Sequence, residues 1–398
     1  MSKNIVFCAD GTWNGPGESD SDDKTASLTN VFKLFLNLDG PPTPGTFLLE
    51  KEQEKALSDA NGVPQQVAKY LHGVGDSDNL LVRLLGGTLG AGLITRIVRG
   101  YTFISRNYLP GDKIFIVGFS RGAYTARALG GMIATKGLLD PAKIDLTDKE
   151  RAYLLGTAVW CEYRRAALQN DTTKLQRLED TVFNIPGLLF RLPSDDLLTA
   201  APIEAIGVWD TVGALGVPTY TTTMLRIDVF RFADTKLSPV VRHGIQALAV
   251  DEQRDDFTPT FWDADARITQ ALFPGSHSDV GGGYPESGDE SGLSDRPLQW
   301  MIEQLAGLGV LFSATPVIKP QPDARGPAHA PWLELPWNVL LRNSRTFPAG
   351  LCLSRLIIDR INAGPVLDRP GAVAAPYAPR NLAAYLAGNA AAPGVIIL

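Results

Sequence analysis

Residues 113–131 read KIFIVGFSRGAYTARALGG, and their reading decides the fold. Lys113 to Gly118 is a short apolar run that predicts a buried strand, and Arg121 to Lys136 reads as the helix after it. Between them Gly118-Phe119-Ser120-Arg121-Gly122 matches G-x-S-x-G. In that pattern a strand turns abruptly into a helix and holds a serine on a strained backbone with its hydroxyl exposed. Gly118 and Gly122 are the small residues such an elbow needs. The turn also sets Ser120 at a helix N-terminus, where the Arg121 N–H faces a developing oxyanion. Glycine makes up 39 of 398 residues, so the bare pattern is expected by chance about a few tenths of a time in such a chain. The strand before it and the helix after it carry the weight.

Working outward, NIVFCA (Asn4–Ala9), QQVAKYL (Gln65–Leu71), IEAIGVW (Ile203–Trp209) and ITQALF (Ile268–Phe273) read as further strands. NVFKLFLNL has helical apolar spacing, residues 80–109 read as helical up to the turn Pro110-Gly111-Asp112, and 148–182 reads as two helices. Pro239 to Val250 is expected to be helical, with Pro239 in the first turn. Strands separated by helical stretches predict an α/β fold with a mostly parallel central sheet. Active sites in such sheets gather at the carboxyl ends of strands. The unusual polar residues fall there: Asp10, His72, Ser120, Asp210 and, shortly after the fifth strand, His277. Residues 1–313 read as the catalytic domain, with 148–200 as a helical insertion or cap. Residues 314–398, rich in proline and alanine, read as an irregular appendage packed on the core.

A serine nucleophile needs a base, and the chain has four histidines. His243 lies in the expected helix, and His329 in the loop RGPAHAPW with no strand before it. His72 ends a strand but precedes Ser120, which suits lining a pocket. His277, in FPGSHSDVGGGY, follows a strand and enters a glycine-rich loop that can carry an imidazole over the sheet edge. The base needs an acid to fix its tautomer and to stabilise the imidazolium. Asp210 ends IEAIGVWD, and the chain order Ser120, Asp210, His277 is that of α/β-hydrolases. Asp279 is a rival, but residues i and i+2 seldom point so that one clamps the other's ring. Asp251 and Asp255 read as surface or salt-bridge residues.

Asp10-Gly11-Thr12 resembles part of a phosphatase motif, yet Cys8 stands where that chemistry needs a nucleophilic aspartate. The N–H of Gly11 or Thr12 is instead a candidate second oxyanion donor, and Asp10, His72 and Phe119 are candidates to line the pocket. GGTLGAG (86–92) lacks the Lys-Ser/Thr of a phosphate loop and follows no strand. SDVGGGYPESGDE carries carboxylates without Ca²⁺-loop spacing, so no metal and no cofactor is expected.

A net charge of −6, with 20% charged and 44% hydrophobic residues, fits a soluble enzyme and gives no reason to expect nucleic-acid binding. The three cysteines, Cys8, Cys161 and Cys352, are far apart and form no C-x-x-C pair, as in a reducing compartment. MSKNIVFCADGT is no signal peptide, which leaves the cytoplasm or export by a leaderless machine. The apolar stretch 84–95, between Arg83 and Arg96, is too short to span a bilayer. It reads as a half-buried helix or as an apolar surface near a lipid entrance.

The longer motifs FCADGTWN, HGVGD, YLPGDKIFIVGFSRGAYTARALGGMI, IGVWDTVGALG, ALAVDEQRDDFTPTFW and FPGSHSDVGGGY…LSDRPLQWMIEQ, in this order, resemble one family. It is a bacterial and fungal α/β-hydrolase family related to the first class of type VI secretion lipase effectors. The resemblance runs from about residue 3 to about residue 310. It implies a Ser-Asp-His hydrolase carried on Ser120, Asp210 and His277, and phospholipase A activity on glycerophospholipids. It further implies contact with a membrane surface, and a secretion apparatus or an immunity protein as partner. His72 stands where the family pattern leads one to expect an aromatic residue. Effector members are often longer, with extra segments proposed to engage membranes. The expected function is cleavage of lipid esters through an acyl-enzyme. The alternatives are a non-lipid carboxylesterase or thioesterase, and a non-catalytic binding module on a hydrolase fold.

Overall fold

β1 (Asn4–Ala9) and β4 (Lys113–Phe119) are apolar almost throughout and lie side by side, in register from Asn4 opposite Lys113 to Ala9 opposite Gly118. Strands covered on both faces are selected for such runs, because neither face meets water. The structure is a computed structural model and describes residues 2–11, 27–43, 52–73, 89–167, 198–212, 235–335, 337–339, 341–389 and 397–398.

In chain order the other strands are β2 (Gln53–Ser58), β3 (Pro64–Leu71), β5 (Leu138–Leu139), β6 (Leu198–Thr199), β7 (Ile203–Trp209), β8 (Val241–Ala249), β9 (Ile268–Phe273), β10 (Cys352–Leu353), β11 (Pro365–Val366) and β12 (Ala375–Pro376). Eight of them form one sheet in the order β10-β9-β8-β7-β4-β1-β3-β2. Every pairing in it is parallel except β2 with β3. β5–β6 and β11–β12 are small separate antiparallel pairs.

The apolar core lies on both faces of this sheet. On one face Ile5, Phe7, Ile114 and Ile116 pack with the helices Leu89–Asn107, Arg121–Lys136 and Lys149–Ala167. On the other, Val6, Phe115, Trp209 and Ala247 pack with the helices Asn30–Asn37 and Gly292–Gly307. A third cluster joins Leu248, Val250 and Leu272 to Leu351, Leu353, Ile357, Leu382 and Tyr385. The C-terminal segment therefore shares core with the β8–β9 side, and β10 extends the sheet there.

Two expectations need correction, and one strand goes unannounced in the sequence. Residues 241–249 are not a helix but β8, an interior strand between β7 and β9. The apolar residues of VVRHGIQALAV fit either period over so short a run, and sheet pairing decides. β2 is a strand that the polar sequence QEKALS does not announce; it is the antiparallel edge, fixed by buried Lys69 of β3 reaching Glu52 at 2.6 Å and Glu54 at 3.1 Å. His277 opens a short helix, His277–Gly281, and not a loop. Of the segment read as two helices, Lys149–Ala167 is one helix, and 168–182 lies outside the described residues. The apolar stretch 84–95 is described only from Leu89, where a helix begins. Among the described residues no helix is long and apolar enough to cross a membrane.

Candidate active site

Ser120 sits between β4 and the helix Arg121–Lys136 with φ 57 and ψ −122. That left-handed region costs a residue with a Cβ about 1–3 kcal/mol, so the surrounding packing must hold it. The packing is backbone against backbone. A Cβ on Gly122 would lie 2.1 Å from the Ala9 carbonyl oxygen, and one on Gly118 would lie 2.3 Å from the Gly122 carbonyl oxygen. Only glycine at both positions lets the helix start flush against the ends of β1 and β4. Arg121 opens the helix, and the first N–H groups of a helix have no acceptor within it.

The end of β1 anchors this turn. Asp10 is fully buried, and its carboxylate accepts from the Thr29 hydroxyl at 2.6 Å, the Tyr70 hydroxyl at 2.6 Å and the Gly11 N–H at 2.7 Å. Burial pushes its carboxyl up to about 6, against those hydrogen bonds and the charge of Arg96. The Arg96 guanidinium donates to the Asp10 carbonyl at 2.5 Å. Asp10 thus acts as a buried hub, and the Gly11 N–H is engaged by it. Thr12 lies outside the described residues.

Asp210 follows β7, the neighbour of β4, with φ 38. His277 follows β9. The two meet: His277 Nδ1 lies 2.5 Å from Asp210 Oδ2, and both side chains are buried. Nδ1 carries the proton in this contact, because the carboxylate can only accept. Nε2 is then the basic nitrogen, and it is buried with no hydrogen-bond partner among the described residues. Burial lowers the basicity of His277, although Asp210 opposes that shift. Burial alone would raise Asp210, but the charge of Arg345 and hydrogen bonds from His277 and Arg345 hold it well below the usual carboxylate range.

Rings frame the imidazole. Phe119, next to Ser120 and fully buried, has its ring centre 4.6 Å from that of His277. Phe257 meets His277 edge-on at 4.9 Å and Trp337 at 5.4 Å. Arg254 lies over the Phe257 ring and pairs with Glu252, whose Oε2 also accepts the His277 N–H at 3.1 Å.

The other candidates lie elsewhere. Asp279 pairs with His329, whose Nδ1 is 2.6 Å from Asp279 Oδ1. Asp255 accepts from Asn343, and Asp251 from the Gly275 N–H at 2.7 Å and the Tyr377 hydroxyl at 3.0 Å, so neither forms a surface salt bridge in these contacts. His243 is near the start of β8, beside a cleft of about 290 Å³ that Arg267 and Glu303 also line. His72 is buried at the end of β3. Among the described residues no group of three or more His, Cys, Asp or Glu side chains is arranged to hold a metal ion, and Cys8, Cys161 and Cys352 are free thiols.

Residues 3–304 match the family described as the type VI secretion system (T6SS) phospholipase effector Tle1-like catalytic domain. The chain belongs to that family. The Tle1-like match contains Ser120, Asp210 and His277 and stops before His329 and Arg345. The chain is 25% identical over 268 residues to the uncharacterized protein YEL023C of Saccharomyces cerevisiae, covering 64% of this chain and 32% of that one. It is similar to a solved uncharacterized protein from Pseudomonas aeruginosa, with 18% identity, TM-score 0.42, and 79% and 47% of the two chains covered. It is also similar to the Tle1 effector solved bound to the VgrG spike of the type VI secretion system, with 17% identity, TM-score 0.32, and 71% and 51% covered. The chain thus spans about a third of the yeast relative and about half of each solved chain.

Arg345 and Glu252 escape the sequence reading, which weighs His329 only as a base and misses its pairing with Asp279. Glu252 sits in one of the resembling motifs, ALAVDEQRDDFTPTFW, which could have drawn attention to it. Arg345 and His329 lie in no motif, and nothing local marks them.

Proposed function

We propose that this chain is a serine hydrolase that cleaves carboxylic esters of phospholipids through an acyl-enzyme. The observation that carries the reading is the 2.5 Å contact between Asp210 and His277, on strand ends beside the strained turn of Ser120. Ser120 Oγ attacks the ester carbonyl carbon while His277 Nε2 takes the hydroxyl proton. The Nδ1–H stays on Asp210, which orients the ring and stabilises the imidazolium. The tetrahedral oxyanion is met by the Arg121 N–H at the start of its helix. Collapse breaks the ester C–O bond, and His277 returns the proton to the leaving alcohol. Water, deprotonated by His277, then attacks the acyl carbon; the bond to Ser120 Oγ breaks, His277 returns the proton to Oγ, and the fatty acid leaves.

Two observations favour a lipid over a small soluble ester. The family is one of phospholipase catalytic domains. Trp337, which touches the ring beside His277, lies in a stretch where Leu335, Val339 and Leu341 are 78%, 73% and 75% exposed. Family membership also favours leaderless export by a type VI apparatus, with that apparatus as partner.

Fluorophosphonate labelling, with release of fatty acid and lysophospholipid from phospholipid vesicles, tests the reading. Wild type labels and hydrolyses; Ser120→Ala does neither, with kcat down by about 10⁴-fold or more. Equal labelling of the two proteins rejects the nucleophile. Activity confined to short soluble esters rejects the phospholipid substrate.

A further inference from the structure

Asp210 is fully buried, and each of its oxygens receives two donors. Oδ1 accepts from Arg345 Nη1 at 2.6 Å and from the Ala249 N–H at 3.0 Å. Oδ2 accepts from Arg345 Nη2 at 2.9 Å and from His277 Nδ1 at 2.5 Å. The fork of Arg345 is itself fixed, since Nη1 also reaches the Ala249 carbonyl at 2.8 Å and Nη2 the Phe257 carbonyl at 2.6 Å. One guanidinium therefore ties together the acid, the end of β8 and the residue whose ring meets His277 edge-on. A planar fork on a carboxylate allows one orientation, and here that orientation leaves Oδ2 for the imidazole.

We propose that Arg345, from the C-terminal segment beyond the family match, is a positioning residue that keeps Asp210 ionised and turned toward His277, and that its charge sets the pH at which His277 becomes a base. The inference rests on the triad reading above. A buried carboxylate with no counter-charge takes up a proton or rotates toward other donors, and either outcome releases the imidazole. Among the described residues the charged groups acting on His277 are Asp210 after β7 and Glu252 and Arg254 after β8, while Arg345 acts through Asp210. Glu252 and Arg254 largely cancel through their own ion pair at 2.8 Å. Arg345 is thus the cation that offsets Asp210. Without it Asp210 is neutral or turned away, the imidazolium loses its carboxylate, and the base is expected to give up its proton at lower pH.

The test compares Arg345→Met and Arg345→Lys with wild type in pH profiles of kcat and kcat/KM on p-nitrophenyl butyrate, with thermal melts alongside. Arg345→Met should lose at least about tenfold in kcat with little change in KM, and its acidic limb should move down by about one pH unit. Arg345→Lys keeps the charge but not the fork, so its limb should stay near wild type while kcat falls. A folded Arg345→Met protein with the wild-type limb overturns the proposal. If Arg345→Met does not fold, Arg345→Lys decides, and a wild-type kcat across the profile overturns it. Ser120→Ala separates the two readings. If it retains activity, the triad fails and this inference with it; if it is inactive while both Arg345 variants match wild type, only the role of Arg345 fails.

Discussion

Asp279 is held by His329: Nδ1 of His329 lies 2.6 Å from Asp279 Oδ1, and Asp279 Oδ2 accepts the N–H groups of Ser276 and His329 at 2.7 and 3.0 Å. Glu290 faces the other ring nitrogen at 3.3 Å. The helix that begins at His277 is therefore capped through Asp279 and tied to a residue 50 positions later. Burial lowers the basicity of His329, but the carboxylates of Asp279 and Glu290 outweigh it, and the net shift is upward. A histidine raised on folding contributes stability that is fully present below its unfolded value, about 6.5, and is lost as pH rises through the folded value. His329→Gln is expected to cost about 1–3 kcal/mol near pH 6, with a smaller difference from wild type near pH 9. Urea unfolding at the two pH values measures this, and a gap that widens with pH contradicts it.

Much of the scaffold was legible because it is written locally. β1, β4 and β7 are apolar runs ended by Asp10, Ser120 and Asp210, and a run buried on both faces needs no partner to be recognised. β8 is not so written, since VVRHGIQALAV suits either period and only its place between β7 and β9 makes it a strand. β2 is polar because it is an edge, and its buried ion pairs with Lys69 are visible only in three dimensions. The site divides in the same way. Ser120, Asp210 and His277 stand at or just after strand ends in hydrolase order. Arg345 reaches Asp210 across 135 residues from a segment with no periodicity, and such a contact leaves no local pattern.

The pH dependence of catalysis follows from the other histidine. Burial lowers the basicity of His277, and the base must be neutral to take the serine proton. The acidic limb of kcat/KM on a soluble ester should therefore lie below about 6.5, the ordinary imidazole value. A limb above that value means that Asp210 outweighs burial.

The elbow stores strain that glycine relieves. Ser120→Gly removes both the hydroxyl and the Cβ at φ 57, so it should abolish labelling while raising stability by about 1 kcal/mol. Gly122→Ala acts in the opposite direction, because its methyl would sit 2.1 Å from the Ala9 carbonyl and 2.5 Å from that of Asp10. Both contacts are backbone, which cannot swing aside, and the loss should exceed about 3 kcal/mol. Thermal melts of the two variants, run together, separate strain at Ser120 from fit at Gly122.

The exposed apolar residues near the site give the last prediction. Leu335, Val339 and Leu341 flank Trp337 in sequence, and Trp337 connects through Phe257 to the ring of His277. Transfer of apolar side chains from water into lipid is favourable by about 25 cal/mol per Å², so three such residues add several kcal/mol to contact with a bilayer. They add nothing to a water-soluble ester. Replacing all three with serine should therefore reduce phospholipid hydrolysis in vesicles by about tenfold or more while leaving turnover of p-nitrophenyl butyrate within about twofold. Because the side chains already face water, the melting temperature should hardly change. Vesicle sedimentation adds a binding readout, in which the variant should leave the pellet. Equal loss on both substrates would place these residues in the reacting pocket, and equal retention on both would remove them from any part in lipid contact.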